Sequence, residues 1–143
     1  MLQKFLNYMK IIIATPIYPP EIGGPSIYSQ KLKEGLEKSG HLIRIVSYQG
    51  LKKYPQPLRI LLYFLRLLKS SQGTDLIYGL NLVSCGLPAS LTGKKFFLRI
   101  GGDYLWERAV EAGRTKKTLR EYYQNRKTLK EKFWLWPIKD TFQ

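Results

Sequence analysis

The stretch from Lys10 to Gly40 constrains this chain more than any other. Lys10-Ile-Ile-Ile-Ala-Thr15 is a short, largely β-branched run with no alternation of polar and apolar residues. A run of that kind suits a strand covered on both faces, as in a parallel sheet. Pro16, Pro19 and Pro20 end it, and the segment from Pro16 to Pro25 is too rich in proline and glycine for regular structure. Ser26 can cap a helix that runs to about Ser39, with Tyr28, Leu32 and Leu36 on one face and most of the charged residues on the other. Gly40 is placed to terminate it. Leu42-Ile-Arg-Ile-Val-Ser-Tyr48 is then a second strand, and the whole is a βαβ unit with a right-handed crossover.

The pattern continues. A loop over 50–57 leads to a very apolar helix over 58–70, then a strand over 75–78. A short helical segment over 83–91 follows, weakened by Pro88, and then a strand over 94–100. From Tyr104 the chain reads as helical, broken at Gly113, with a basic and aromatic segment from about Thr115 to Trp136. Alternating strands and helices predict an α/β fold: a Rossmann-like, open, mostly parallel sheet with helices on both faces. The 143 residues suit one domain. Met9-Lys10 reads as the natural beginning, with residues 1–8 as a leader or alternative start and 9–143 as the domain.

Composition narrows the function classes. A single cysteine, Cys85, excludes an internal disulfide and a multi-Cys zinc site, and a single histidine, His41, argues against a His-cluster metal site. No apolar run approaches the roughly 18 residues of a membrane span. Without a convincing export signal, the expected setting is reducing and cytoplasmic. With 24 Lys plus Arg against 10 Asp plus Glu, the formal charge is +14. That calls for an anionic partner: lipid headgroups, nucleic acid or a phosphorylated ligand.

Ligands of open α/β sheets bind beyond the carboxyl ends of the strands, which singles out the loops 16–25, 79–84 and 101–104. In the first, Gly23-Gly24 precedes a helix start, where backbone N–H groups favour phosphate. A tight turn that needs glycine is the other reading. The spacing fits neither a dinucleotide fingerprint nor a P-loop. In the third, Asp103 is either a helix cap or a carboxylate that binds a hydroxyl or takes its proton. Glu107 and Arg108 follow at helical spacing from Asp103 and Tyr104; they line the same cleft or sit on a solvated face. On the helix over 58–70, Arg59, Arg66 and Lys69 form a narrow basic stripe; the helix packs on the sheet, or it also meets anionic membrane with that basic edge. The basic and aromatic segment suits base stacking, a membrane surface or plain solvation.

The residues from Lys10 through Pro16-Ile-Tyr-Pro-Pro-Glu-Ile-Gly-Gly-Pro25 to the strand at Leu42 resemble the opening of family 4-type glycosyltransferases, retaining enzymes of the two-domain GT-B fold. Asp75-Leu-Ile-Tyr78, Gly86-Leu-Pro88 and Leu98-Arg-Ile-Gly-Gly-Asp-Tyr-Leu-Trp-Glu-Arg108 look like the same N-terminal domain further along, so the resemblance covers about 9–136. It implies transfer of a sugar from a nucleoside diphosphate sugar to a glycan or lipid-linked acceptor hydroxyl, with retention and without a metal or other cofactor. Gly23 and Gly24 match the turn that approaches the donor's phosphates. Asp103 falls where acceptor- or sugar-contacting, and in a first reading catalytic, residues stand. Tyr104, Glu107 and Arg108 are acceptor-side candidates.

The family's glutamate pair in E-x7-E spacing has no counterpart here. The expectation is therefore an N-terminal, acceptor-side fragment without its donor domain, inactive alone. It would act with a separate donor domain and sit peripherally on the inner face of the plasma membrane. A basic α/β nucleic-acid-binding module and a non-catalytic partner subunit are the alternatives. With no nucleic-acid motif in the chain, nucleic acid is not the expected partner.

Overall fold

In the computed structural model, residues 8–102 and 104–124 are described, and they fall into two units, one up to Arg99 and one from Ile100. The first unit is an α/β layer structure. Its elements are β1 (Lys10–Thr15), α1 (Gly24–Lys38), β2 (Leu42–Ser47), α2 (Gln56–Ser70), β3 (Leu76–Gly79), α3 (Leu87–Ser90) and β4 (Phe96–Leu98). The four strands form one sheet in the order β2-β1-β3-β4, and every pairing is parallel.

β1 lies between β2 and β3, which explains its composition. Ile11 is 6% exposed and Ile12, Ile13 and Ala14 are fully buried, so both faces of the strand are covered. Ile12, Ala14, Val46 and Ile77 line one face and pack against Tyr63 and Leu67 of α2 and Ala89 of α3. Ile13 and Tyr78 are register partners on the other face, where Tyr28 of α1 meets Tyr78. Helices therefore cover both faces, as right-handed crossovers to the left and right of β1 require. The edge strands are less enclosed: along β2 the first four residues are half-buried or exposed, and Phe97 of β4 is exposed.

α1 differs from its expected inner face. The residues buried against the sheet are Ser26 and Ser29, while Tyr28, Leu32 and Leu36 are only half-buried at the flanks. Small side chains at the centre let the helix approach the strands closely, and the Ser29 hydroxyl donates to Ser26 O at 2.9 Å. The end of α1 follows the expectation. Gly40 has φ +88, its N–H donates to Glu37 O, and His41 N–H donates to Leu36 O, a Schellman closure. Gly40→Ala is expected to cost about 1 kcal/mol, because a Cβ is strained at that φ; the shift of the urea midpoint measures it.

α2 begins two residues earlier than expected, with Pro57 in its first turn, where the missing N–H costs nothing. The segment expected as one helix over 83–91 is in fact two pieces. A π-helical turn over Leu82–Gly86 is capped by the Asn81 side chain, which accepts from Ser84 N–H, and α3 follows with Pro88 in its first turn. Pro88 thus starts α3 rather than breaking a longer helix. β4 is shorter than expected, at three residues.

The centre of the core under α2 is a cluster of weakly acidic groups. Tyr63 is fully buried, stacks on Tyr48 with centroids 4.0 Å apart, donates to Val46 O at 3.1 Å and lies 3.7 Å from Cys85 Sγ. Burial pushes the Cys85 thiol from its ordinary 9.0 up to about 11, and burial likewise holds the Tyr48 and Tyr63 hydroxyls above their ordinary range. A raised acid stabilises the fold below its unfolded pKa and loses that contribution as pH rises through the folded one. The denaturation midpoint should therefore hold steady from pH 7 to about pH 9 and fall between about pH 9 and 11. Native Cys85 should resist alkylation at neutral pH and react once the chain is unfolded.

The second unit contains α4 (Tyr104–Glu111) and α5 (Leu119–Gln124). Thr118 and Glu121 make a capping box at α5: the carboxylate accepts from Thr118 N–H at 2.9 Å, and Thr118 Oγ1 accepts from Glu121 N–H at 3.4 Å. The same bonds lower the Glu121 pKa.

Candidate functional site

The strand order places the topological switch between β1 and β3. The chain leaves β1 towards β2 on one side, and β3 leads to β4 on the other. In an open parallel sheet the crevice outside the carboxyl ends at that point is the expected ligand position. Two loops begin there, one after Thr15 and one after Gly79, and Leu80 N–H donates to Ala14 O at 2.9 Å, which fixes the second against the first strand.

The loop after β1 is held by its own groups. Thr15 Oγ1 donates to Ile17 O at 2.7 Å, and Glu21 N–H donates to Tyr18 O at 3.0 Å. Glu21 also forms an ion pair with Lys52, which ties this loop to the one after β2. The loop delivers Gly23 and Gly24 to the start of α1.

These two glycines have different surroundings. A Cβ on Gly23 would come within 2.5 Å of Ile17 Cδ1, so glycine there makes room for the loop's own side chain. Apart from its chain neighbours, a Cβ on Gly24 would meet nothing within 4 Å, and neither residue lies in the left-handed region. The tight-turn explanation therefore does not apply to Gly24. Beyond it lies open space at the N-terminus of a 15-residue helix that has no side-chain cap and no acidic residue in its first turn. The first bond closing α1 is Ile27 N–H to Gly23 O, Pro25 has no N–H and Ser26 is buried, so the Gly24 N–H is the one that stands exposed ahead of the ladder at the positive end of the helix dipole.

Three side chains that the sequence reading passed over converge near the carboxyl ends of β3 and β4. Tyr28, one turn into α1, has its hydroxyl 3.2 Å from that of Tyr78. The Arg99 guanidinium lies over the Tyr28 ring at 4.0 Å from its centroid, and Arg99 N–H donates to Gly79 O, continuing the line of β4. Partial burial and the bond to Tyr28 raise the Tyr78 pKa, while Arg99 lowers it. The cluster gives hydroxyls, an aromatic face and a fixed positive charge on the same side of the sheet. Its signal was present: Tyr78 and Arg99 each stand at the end of a strand, where the carboxyl-edge rule directs attention.

Behind this edge Leu98 packs tightly. A Cβ on Gly79 or on Gly86 would come within 2.6 Å of its methyl groups.

The remaining candidates fall as follows. Asp103 lies outside the described residues, as does most of the basic and aromatic segment. Tyr104, Glu107 and Arg108 are all on α4, in the second unit. Glu107 is exposed and its carboxylate occupies the space a Cβ at Gly102 would need, so Gly102 has a packing reason of its own. Trp106 Nε1 donates to Lys117 O at 2.9 Å within that unit.

On α2, the Arg66 guanidinium donates through Nη1 to Ser47 O and Gln49 O, each at 2.9 Å, and so clamps the helix to the end of β2. Arg59 lies 6.0 Å from the Tyr48 ring centroid, and Lys69 is exposed in the last turn. His41 accepts the Met9 N–H through Nδ1 at 3.2 Å. Among the described residues, no group of three or more His, Cys, Asp or Glu side chains could hold a metal ion. No helix among them is long and apolar enough to cross a membrane.

An open hollow lies at the opposite, amino-terminal edge of the sheet. Lys10, Glu37, His41, Arg44 and Thr74 are among its lining residues. Lys10 N–H donates to the Asp75 carboxylate at 2.8 Å and Arg44 donates to Ser70 O at 3.1 Å, so these contacts serve to join β1 and β2 to the segment before β3. No protein-family model, no curated protein and no solved structure matches this chain.

Proposed function

We propose that this chain is the acceptor-side domain of a retaining, GT-B-type glycosyltransferase, and that its Gly23-Gly24 corner takes the phosphates of a nucleoside diphosphate sugar. The observation that carries the reading is Gly24: open space in front of an uncapped helix start at the switch point of a parallel sheet. Backbone N–H groups in that position bind phosphate without any charged side chain. The resemblance of the Lys10–Leu42 stretch to the opening of that family adds the sugar to the phosphate.

In this reading the chain's share of the reaction is positioning. The exposed Gly24 N–H, at the positive end of the α1 dipole, orients the donor's phosphates and meets the charge that grows on them as the glycosidic bond breaks. Tyr28, Tyr78 and Arg99 offer hydroxyls and an aromatic face to a carbohydrate on the same edge. The family's E-x7-E glutamate pair has no counterpart in this sequence, so the purified chain is expected to bind nucleotide weakly and to turn over no donor. Titration with a nucleoside diphosphate, followed by isothermal calorimetry in low salt, tests the binding. Saturable binding lost on replacing Gly24 supports the reading; no binding, or binding indifferent to Gly24, rejects it.

A further inference from the structure

We propose that the outward face of α2 is a membrane-docking surface that rests Leu58, Leu61, Leu65 and Leu68 at the headgroup boundary of an anionic bilayer. These leucines are 41%, 52%, 49% and 40% exposed, the four largest apolar exposures on the helix. Their spacing of three, four and three residues puts them in one stripe along the side opposite Tyr63 and Leu67. An ordinary solvent-facing helix carries charge there. α1 does so, with Lys31, Glu34 and Lys38 exposed.

The basic groups are arranged around this stripe rather than along it. From Gly50 to Thr74 there are five Lys and Arg residues and no Asp or Glu. Arg66 is committed to the Ser47 and Gln49 carbonyls, so its part is to hold α2 in place rather than to project from it. Lys69 stands one turn beyond Leu65 on the outward side, and Lys53 stands in the loop before α2, where its neighbour Lys52 is paired with Glu21. An apolar stripe rimmed by cations and free of acids is the pattern of a helix lying in the plane of an anionic interface.

A second copy of this chain fits the face less well. Two chains of charge +14 would bring their basic rims together. The stripe also offers on the order of 300 Å², against the roughly 800 Å² per partner of a stable dimer. This inference does not rest on sugar transfer, and its test reads lipid contact alone.

The experiment is flotation of the full chain with phosphatidylcholine vesicles, with and without phosphatidylglycerol, over a range of salt. Binding should require phosphatidylglycerol and weaken with salt. Leu61→Ser/Leu65→Ser should lower the vesicle affinity about tenfold or more while the circular dichroism spectrum is unchanged. If that double variant does not fold, Leu65→Cys carrying an environment-sensitive dye gives the same reading, because Cys85 is buried and does not compete for label. The dye emission should shift to the blue on anionic vesicles. Absence of binding, binding that the leucine changes leave untouched, a dye that reports no change while the chain floats, or a dimer that hides the dye without lipid would each overturn the proposal.

Discussion

Replacing Tyr63 with alanine is expected to destabilise the first unit by about 4 kcal/mol, most of the roughly 5 kcal/mol that holds a domain at the low end of ordinary stability. The size follows from three losses at one site. The ring is fully buried at the centre of the α2 face and stacks within 4.0 Å of Tyr48, so truncation leaves a large cavity between helix and sheet. The hydroxyl donates to Val46 O near the carboxyl end of an edge strand, and that carbonyl loses its side-chain donor. The Arg66 clamp on the Ser47 and Gln49 carbonyls and the Arg44 bond to Ser70 O then hold α2 to β2 without it. Tyr63→Phe separates these effects: it keeps the ring and should cost about 1 kcal/mol. Urea titrations followed by circular dichroism give both values. Equal costs for the two variants would mean that the hydroxyl rather than the ring anchors the helix.

Gly24→Val should do the opposite, leaving the fold alone and abolishing the ligand site. Apart from its chain neighbours, a Cβ at Gly24 meets no atom within 4 Å and the backbone is not in the left-handed region, so the stability change should stay within about 1 kcal/mol, most of it from a β-branched residue preceding Pro25. The two valine methyl groups would stand where a phosphate must come to reach the Gly24 N–H. Nucleotide affinity should fall at least tenfold, the equivalent of about 1.4 kcal/mol. Gly23→Val makes the informative contrast. Its Cβ would collide with Ile17, so it should disturb the loop as well as the ligand. A Gly24→Val protein that binds as before would remove the reason for placing phosphate at this corner.

Much of the architecture was legible because the residues that state it are local. The unbroken apolar run of β1 announced a strand covered on both faces, and it is the strand with a partner on either side. Gly40 announced the end of α1, and its φ of +88 is what glycine permits there. The alternation of strand and helix announced a parallel sheet, and all pairings are parallel. Other features were hidden for reasons that can be named. The inner face of α1 is centred on two serines, and a reading that ranks residues by hydrophobicity assigns the face to Tyr28, Leu32 and Leu36 instead. Pro88 looked like a breaker because helix N-termini are hard to locate from sequence, and proline is welcome in a first turn.

α2 shows a deeper limit. Leucine, phenylalanine and isoleucine surround it on most sides, so the sequence identifies a helix but not which side the sheet will take. Arg59 and Arg66 suggested a basic face turned to the surroundings. The backbone carbonyls at the end of β2 claim Arg66, and the leucines are left facing out. Only the tertiary position of β2 decides this. The site divides in the same way. The Gly23-Gly24 corner was visible as a short motif, whereas Tyr28, Tyr78 and Arg99 come from three separate elements and become a group only when β3 and β4 are paired beside β1.

We propose that a phosphorylated ligand enters at the carboxyl edge of this sheet. Amide chemical shifts of the labelled chain, recorded during titration with uridine and guanosine diphosphates, test it most directly. The Gly23 and Gly24 amides should move first and together, with Tyr28 following. Shifts confined to the opposite rim, at Lys10, His41, Arg44 and Gly73, or no shifts at all, would contradict it.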